Sequence, residues 1–275
     1  MNKIALITGP TSGIGYATSL ELASKGFDLI LVARNIDKCS VLQTEIGGQV
    51  KTDCIQCDLS DIQSVLRAVE TIRKRYTKID VLINNAGIIV DKKQFSVDGI
   101  ELTFATNHIG PFVLTTGLIS LLKASGNARI VNVCSAAHYF AFFGIEKLVN
   151  PKVYHDLVVY GRSKLANILF SNELSDRLSL FGVTSNAVHP GTVASNFAGS
   201  GGGVTTQFMK LFRKFLKTNS QGAATSVYVA TAPQLEGVSG RYYVNCKPAR
   251  TSRAARNREL GKALWKLSED LTKRG

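Results

Sequence analysis

The chain has 275 residues, 45% of them hydrophobic, enough to bury a large core; no apolar run approaches the roughly 18 to 20 residues that cross a bilayer. Its net charge of +13 is lopsided, because residues 207–275 hold 14 Lys and Arg against 4 Asp and Glu, and no recognisable nucleic-acid-binding module accompanies the excess. The five cysteines, at 39, 54, 57, 134 and 246, are odd in number and form no disulfide framework, and the single C-x-x-C, Cys54 with Cys57, has no second pair and no His at zinc spacing; a reducing compartment, the cytoplasm, is expected and a metal site is not.

The N-terminus enters a strand, "KIALIT", almost at once, so neither a signal peptide nor a membrane anchor is expected. That strand runs into "TGPTSGIGYATSLELASKG". Gly9, Gly13 and Gly15 let the backbone turn tightly and approach a pyrophosphate, with Thr11 and Ser12 on the turn and a helix N-terminus near Ile14 to meet the negative charge. The spacing is G-x-x-x-G-x-G, and an ordinary tight turn between strand and helix is the plain alternative. The second strand, "FDLILVA", ends in Ala33 and Arg34, where an acid would accept the ribose 2′-hydroxyl of NAD. An arginine there favours the 2′-phosphate of NADP(H) by roughly 1.5 to 3 kcal/mol; it could also be simply solvated.

Further strands are expected at "KTDCIQC", "DVLINNA", "ARIVNVC", "VTSNAVH" and "GRYYVN", with helix-period segments between them. This alternation predicts an α/β fold, a single Rossmann-type domain over 1–275 with a doubly wound parallel sheet of about seven strands and helices on both faces. Two stretches, 136–157 and 193–220, depart from simple alternation. Both follow strand ends, where ligands bind in such sheets, so they are expected to shape substrate selectivity. "VVYGRSKLAN" puts Tyr160 and Lys164 four positions apart on one helix face. A phenol with a pKa of about 10 needs roughly 3 to 4 kcal/mol of help to exchange its proton near neutrality, and one ammonium about 4 Å away at an effective dielectric of about 20 supplies roughly 4.

Together "TGPTSGIG", "CDLSD", "NNAG" at 84–87, Asn107 in "FATNHIG", Ser135 in "IVNVCSAAH", "YGRSK" and "HPGTV" resemble the short-chain dehydrogenase/reductases over nearly the whole chain. "YGRSKLANILFSNELSDRL" and "TAPQLEGVSGRYYVNCKPA" resemble the retinol dehydrogenase and WW-domain oxidoreductase branch. The resemblance implies a catalytic tetrad of Asn107, Ser135, Tyr160 and Lys164. It also implies that Asp58 and Leu59 lie against the adenine, that Asn85, Ala86 and Gly87 pass beside the adenosine ribose, and that Pro190, Gly191 and Thr192 hold the nicotinamide end, with Tyr160 and Lys164 also touching cofactor. A homodimer or homotetramer is implied in the same way.

The expected activity is interconversion of an apolar aldehyde or ketone and its alcohol with NADP(H). The alternatives are a steroid or other lipid ketone reductase, or a dinucleotide-binding redox sensor or scaffold. "AHYFAFFG" offers an aromatic wall beside Ser135, or core packing, and His138 and His155 could reach a substrate. "TTQFMKLFRKFLK" at 205–217 follows "GSGGG" and suits a lid, a peripheral contact with anionic membrane, or a core-packed helix with a solvated face.

Overall fold

The computed structural model describes residues 2–141, 144, 146–191 and 218–273. The expected lid and membrane segment up to residue 217, Thr192, and the second half of the aromatic wall, 142–143, lie outside the described residues.

In chain order the elements are β1 (Ile4–Thr8), α1 (Gly13–Ser24), β2 (Asp28–Ala33), α2 (Ile36–Ile46), β3 (Thr52–Gln56), α3 (Ile62–Arg75) and β4 (Val81–Asn84). A helical stretch follows as α4 (Leu102–Phe104), a π-helical turn (Ala105–Ile109), α5 (Gly110–Gly117) and α6 (Ile119–Ala124). The remainder is β5 (Arg129–Val133), α7 (Glu146–Val149), α8 (Asp156–Leu178), β6 (Thr184–His189), α9 (Asn219–Thr231), β7 (Tyr242–Val244), β8 (Lys247–Pro248) and α10 (Arg258–Thr272).

The sheet order is β3-β2-β1-β4-β5-β6-β7-β8, parallel from β3 to β7. Each expected strand is present. The eighth is a two-residue antiparallel strand, made by a hairpin at Asn245 and Cys246 whose φ values of 51° and 59° are both positive. Glycine or Asn-Gly normally announces such a turn, and "YYVNCKP" lacks one.

Side chains alternate across the sheet with the two-residue period of a strand, and both faces are buried. Leu6, Ile30, Leu82 and Ile130 pack on one face with Val65 of α3, Phe112 of α5, Leu165 of α8 and Leu264 of α10. Ile7, Leu31, Ile83 and Val131 pack on the other with Leu22 of α1, Leu42 of α2 and Val229 of α9. Helix starts are marked by polar caps: Asn35 accepts from Lys38 N (2.9 Å), Asp61 from Ser64 N (3.1 Å), and Thr218 with Gln221 forms a reciprocal capping box on α9. The last three residues of the stretch 193–220 are therefore the start of a regular helix.

One expectation is overturned. Cys39 on α2 and Cys54 on β3 are joined as a disulfide, with Cα atoms 6.0 Å apart, while Cys57 is free and buried. α2 packs back along β3 and brings together two residues 15 apart in sequence, a pairing that the C-x-x-C spacing conceals.

Candidate active site

The glycine turn after β1 is built by close approach. Gly9 and Gly13 have φ of 64° and 58°, the left-handed region that side chains other than glycine avoid. A Cβ on Gly15 would collide with the Gly9 carbonyl oxygen and the Asn85 amide, and one on Gly9 would lie 3.0 Å from Ala86 Cα. Two residues lock the turn to the end of β4. Thr8 Oγ1 accepts from both Asn85 N and Ala86 N at 3.0 Å, and Asn85 Nδ2 donates to Thr8 O (2.9 Å) and Gly9 O (3.2 Å). Asn85 is thus a brace for the turn, and Thr8, which sequence reasoning missed, is the node it braces; a threonine ending a strand carries no signal of its own.

Ser12 occupies the N-cap of α1 without making a capping bond, and the first turn of α1 holds no acid. Helix donors with no side-chain acceptor, facing a backbone cradle that a Cβ would fill, fit the pyrophosphate of a dinucleotide. Thr11 and Ile14 flank Ser12 and Gly13 on this turn, both half-buried. Arg34 stands exposed just past β2 and takes part in none of the ion pairs among the described residues. Asp58 accepts from Ser60 N (2.9 Å) and Ser60 Oγ (2.7 Å), which fixes the turn after β3, and Leu59 is buried with its carbonyl against Gly110. Ala86 and Gly87 are half-buried beside Asn85, and beyond β6 Pro190 is buried and Gly191 has φ of 88°.

Farther along the carboxyl edge of the same sheet, β5 and α8 bring Ser135, Tyr160 and Lys164 together. Ser135 starts a 3-10 turn, its Oγ accepting from Ala137 N (3.2 Å), and its side chain hydrogen-bonds Tyr160. Lys164, 1% exposed, donates to Val133 O at 3.1 Å, with Nζ 5.6 Å from the centre of the Tyr160 ring. Asn107, fully buried in the π-helical turn, is joined to them indirectly. Its Oδ1 accepts from Ile88 N (2.7 Å), its Nδ2 donates to Ile88 O (2.9 Å) and Ser163 Oγ (2.9 Å), and Ser163 in turn donates to Tyr160 O (2.8 Å). The π turn fits a site residue of this kind, since such bulges cluster where a side chain must be re-aimed.

The electrostatics correct the sequence argument. Burial pushes the Tyr160 hydroxyl above its ordinary value, with the Ser135 hydrogen bond opposing, and burial pulls the Lys164 ammonium down to about 8. The spacing of two residues on a helix says nothing of how much water they lose, and here loss of water disfavours charge on both. Tyr160 is held as the neutral phenol, the proton-bearing form. Cys134, beside Lys164, is pushed by burial to about 12 and stays a thiol.

The histidines do not gather. His108 is buried against Phe104 and Phe170, bonded to Ser268 Oγ (2.9 Å), and desolvation pulls it to about 3. His155 is exposed beside Asp156. His138 is buried with both ring nitrogens engaged by protein, so neither is free for substrate. Among the described residues there is no group of acids, cysteines and histidines that could hold a metal, and no helix is long and apolar enough to cross a membrane. A groove of about 760 Å³ between α1 and α9, lined by Phe27, Val227 and Tyr228, contains none of the residues above and is a separate surface feature.

Residues 3–201 match the short chain dehydrogenase family profile. The chain belongs to that family. Mouse retinol dehydrogenase 12 is 38% identical over 272 residues, covering 98% of this chain and 86% of that protein, and chicken WW domain-containing oxidoreductase is 39% identical over 280 residues, covering 98% and 68%. Among solved structures, a putative uncharacterized protein from Mycobacterium paratuberculosis superposes with a TM-score of 0.80 at 32% identity, covering 98% of this chain and 93% of that one. As a short chain dehydrogenase of the retinol dehydrogenase and WW-domain oxidoreductase branch, the protein is an oxidoreductase of alcohol and carbonyl groups that uses a nicotinamide dinucleotide.

Proposed function

We propose that the protein is an NADP(H)-dependent reductase of apolar aldehydes or ketones, working reversibly, with Tyr160 as the proton donor and acceptor. The observation that carries this reading is the hydrogen-bonded Ser135–Tyr160 pair with a buried Lys164 ammonium 5.6 Å from the phenol ring. The glycine turn, Arg34, Asp58, Leu59, Asn85 to Gly87 and Pro190 to Thr192 would hold the dinucleotide, which supplies the hydride.

The residues divide the remaining work. Ser135 hydrogen-bonds the substrate oxygen and steadies the charge that grows on it. Tyr160, kept protonated by burial, gives its proton to that oxygen. The phenolate left behind faces Lys164, whose Nζ is 5.6 Å from the centre of the ring; two unit charges about 6 Å apart attract by about 3 kcal/mol at an effective dielectric of about 20, enough to make the transfer reversible. Asn107, through Ser163, fixes the backbone of Tyr160. Preference for NADP(H) rests on Arg34, which is exposed just past the end of β2, where an acid would accept the ribose 2′-hydroxyl of NAD, and which joins none of the ion pairs among the described residues. An apolar substrate is supported by the exposed Tyr139 and Phe140, four and five residues past Ser135, and by Leu157, one helical turn before Tyr160. The chemistry of these walls suits a retinoid, a medium-chain aldehyde or a steroid ketone alike.

The test follows NADPH and NADH absorbance with retinal, medium-chain aldehydes and steroid ketones. Tyr160→Phe should lower kcat by about a thousandfold while NADPH still binds; general acid catalysis is worth about 10² to 10⁴. Arg34→Glu should shift the NADPH-to-NADH preference by about tenfold to a hundredfold. Turnover that survives loss of the phenol removes the proton-transfer assignment. Wild-type preference for NADH removes the assignment of Arg34.

A further inference from the structure

His138 lies outside the group just described, yet its ring is tied to it. Nδ1 is 2.7 Å from Ser135 O, and Nε2 is 3.2 Å from Ser252 N. A carbonyl only accepts and a backbone N–H only donates, so the two partners fix the ring as neutral imidazole with its proton on Nδ1. The ring is 1% exposed and packed against Tyr139 (centroids 4.1 Å apart) and edge-on to Tyr242 (5.4 Å), so it has no freedom to turn.

Ser135 is therefore gripped at both ends of its own residue. Its hydroxyl accepts from Ala137 N (3.2 Å) and bonds Tyr160; its carbonyl takes the His138 ring N–H and the His138 backbone N–H (3.2 Å). The far side of the imidazole leads to the segment after β8. That segment is anchored by Tyr139 OH donating to Arg250 O (2.6 Å), by Ala255 N donating to Ser252 Oγ (3.3 Å) and by Asn172 Nδ2 donating to Ala255 O (2.9 Å) from α8. The helix that carries Tyr160 thus also holds the strap that holds His138.

We propose that His138 is a positioning residue for the reaction: its Nδ1–H clamps the Ser135 carbonyl so that the Ser135 hydroxyl stays in register with Tyr160, and the Ser252 N–H holds the imidazole in the tautomer that can do so. This rests on the reading of Ser135 and Tyr160 given above. A loosened Ser135 peptide would let the hydroxyl swing off the substrate oxygen, so the loss should fall on turnover and not on dinucleotide binding.

Three substitutions separate the two ring nitrogens. His138→Asn keeps a donor near the Nδ1 position, His138→Gln keeps an acceptor near the Nε2 position, and His138→Ala keeps neither. His138→Ala should lower kcat by about tenfold to a hundredfold, with KM and NADPH affinity changed less than about threefold. His138→Asn should recover most of that loss and His138→Gln should not. In a Ser135→Ala background, His138→Ala should cost nothing further, because residues that act as one unit are not additive. Wild-type kcat in His138→Ala, recovery by Gln and not by Asn, or an undiminished further loss in the Ser135→Ala background would each overturn the proposal. Nitrogen-15 NMR of the wild-type ring checks it without any variant: the neutral Nδ1–H tautomer is expected, and an Nε2–H tautomer or an imidazolium at neutral pH overturns it. A wild-type protein that turns over no carbonyl would sink the proposed activity instead, and the NMR result would still decide the tautomer.

Discussion

Around β1 the site is made of backbone: glycines at positive φ, carbonyls held by the Asn85 amide, and helix donors without a side-chain acceptor. Around β5 it is made of side chains, with Lys164 buried and Tyr160 half-buried, so that loss of water disfavours charge on both. The first kind of site costs the fold little, because its polar groups are bonded to one another or face solvent. The second stores unfavourable desolvation, since a buried ammonium is held below its ordinary pKa. The contrast teaches where stability and activity should part company: changes at the β5 end can strengthen the fold while destroying turnover, and changes at the β1 end should weaken fold and binding together.

The largest effect on stability is expected at Lys164. Its pKa is lowered from 10.5 to about 8 in the folded protein, so the unfolded chain binds the proton more tightly. The penalty is fully present below about pH 8 and disappears as pH rises through 10.5, which makes stability climb across that window. A shift of that size corresponds to about 3 kcal/mol, and losing the bond to Val133 O returns about 1. Lys164→Met should therefore be inactive yet more stable than wild type by about 2 kcal/mol at pH 7, with the gain shrinking between pH 8 and 10.5. Urea unfolding at several pH values measures it. A variant less stable than wild type at pH 7 would show that the ammonium is not carrying a desolvation cost.

Gly15 gives the opposite behaviour at the β1 end. Its missing Cβ would occupy the place of the Gly9 carbonyl and the Asn85 amide, so Gly15→Ala must push the turn open. Overpacking of this kind costs about 1 to 3 kcal/mol. A lower unfolding midpoint and at least about tenfold weaker NADPH binding are expected, read by dye-free thermal melts and by cofactor fluorescence titration. Unchanged binding would mean that the dinucleotide does not sit on this turn.

How much of this the sequence discloses follows the same division. "IALIT", "DLILVA" and "RIVNV" announce themselves as strands because both their faces are buried, and the glycine spacing announces the turn because only glycine tolerates the contact. Tyr160 and Lys164 are legible from helix spacing. The direction of the Tyr160 shift is not, because its largest cause is burial, and burial arises from α8 packing beside the end of β5, segments distant in sequence that meet only in the fold. Asn107 is legible as a site residue by resemblance, but the partners that hold its side chain, Ile88 and Ser163, are 19 and 56 residues away. The Cys39–Cys54 disulfide and the β7–β8 hairpin are tertiary facts of the same kind, one arising from α2 lying on β3 and the other from two positive φ values without a glycine to signal them.

Asn85 offers the smallest and most discriminating change. Its amide donates to Thr8 O and Gly9 O, while its backbone N–H goes to Thr8 Oγ1 and is untouched by substitution. Asn85→Ala thus removes two bonds from the turn and leaves the β4 connection in place, at a cost of about 1 to 2 kcal/mol. If Asn85 acts as a brace, that cost should appear as roughly fivefold to thirtyfold weaker NADPH affinity, with kcat at saturating cofactor within about twofold of wild type. A fall in kcat with affinity unchanged would place Asn85 at the reacting end of the site, and the line drawn between a backbone-built end and a side-chain-built end would have to move past β4.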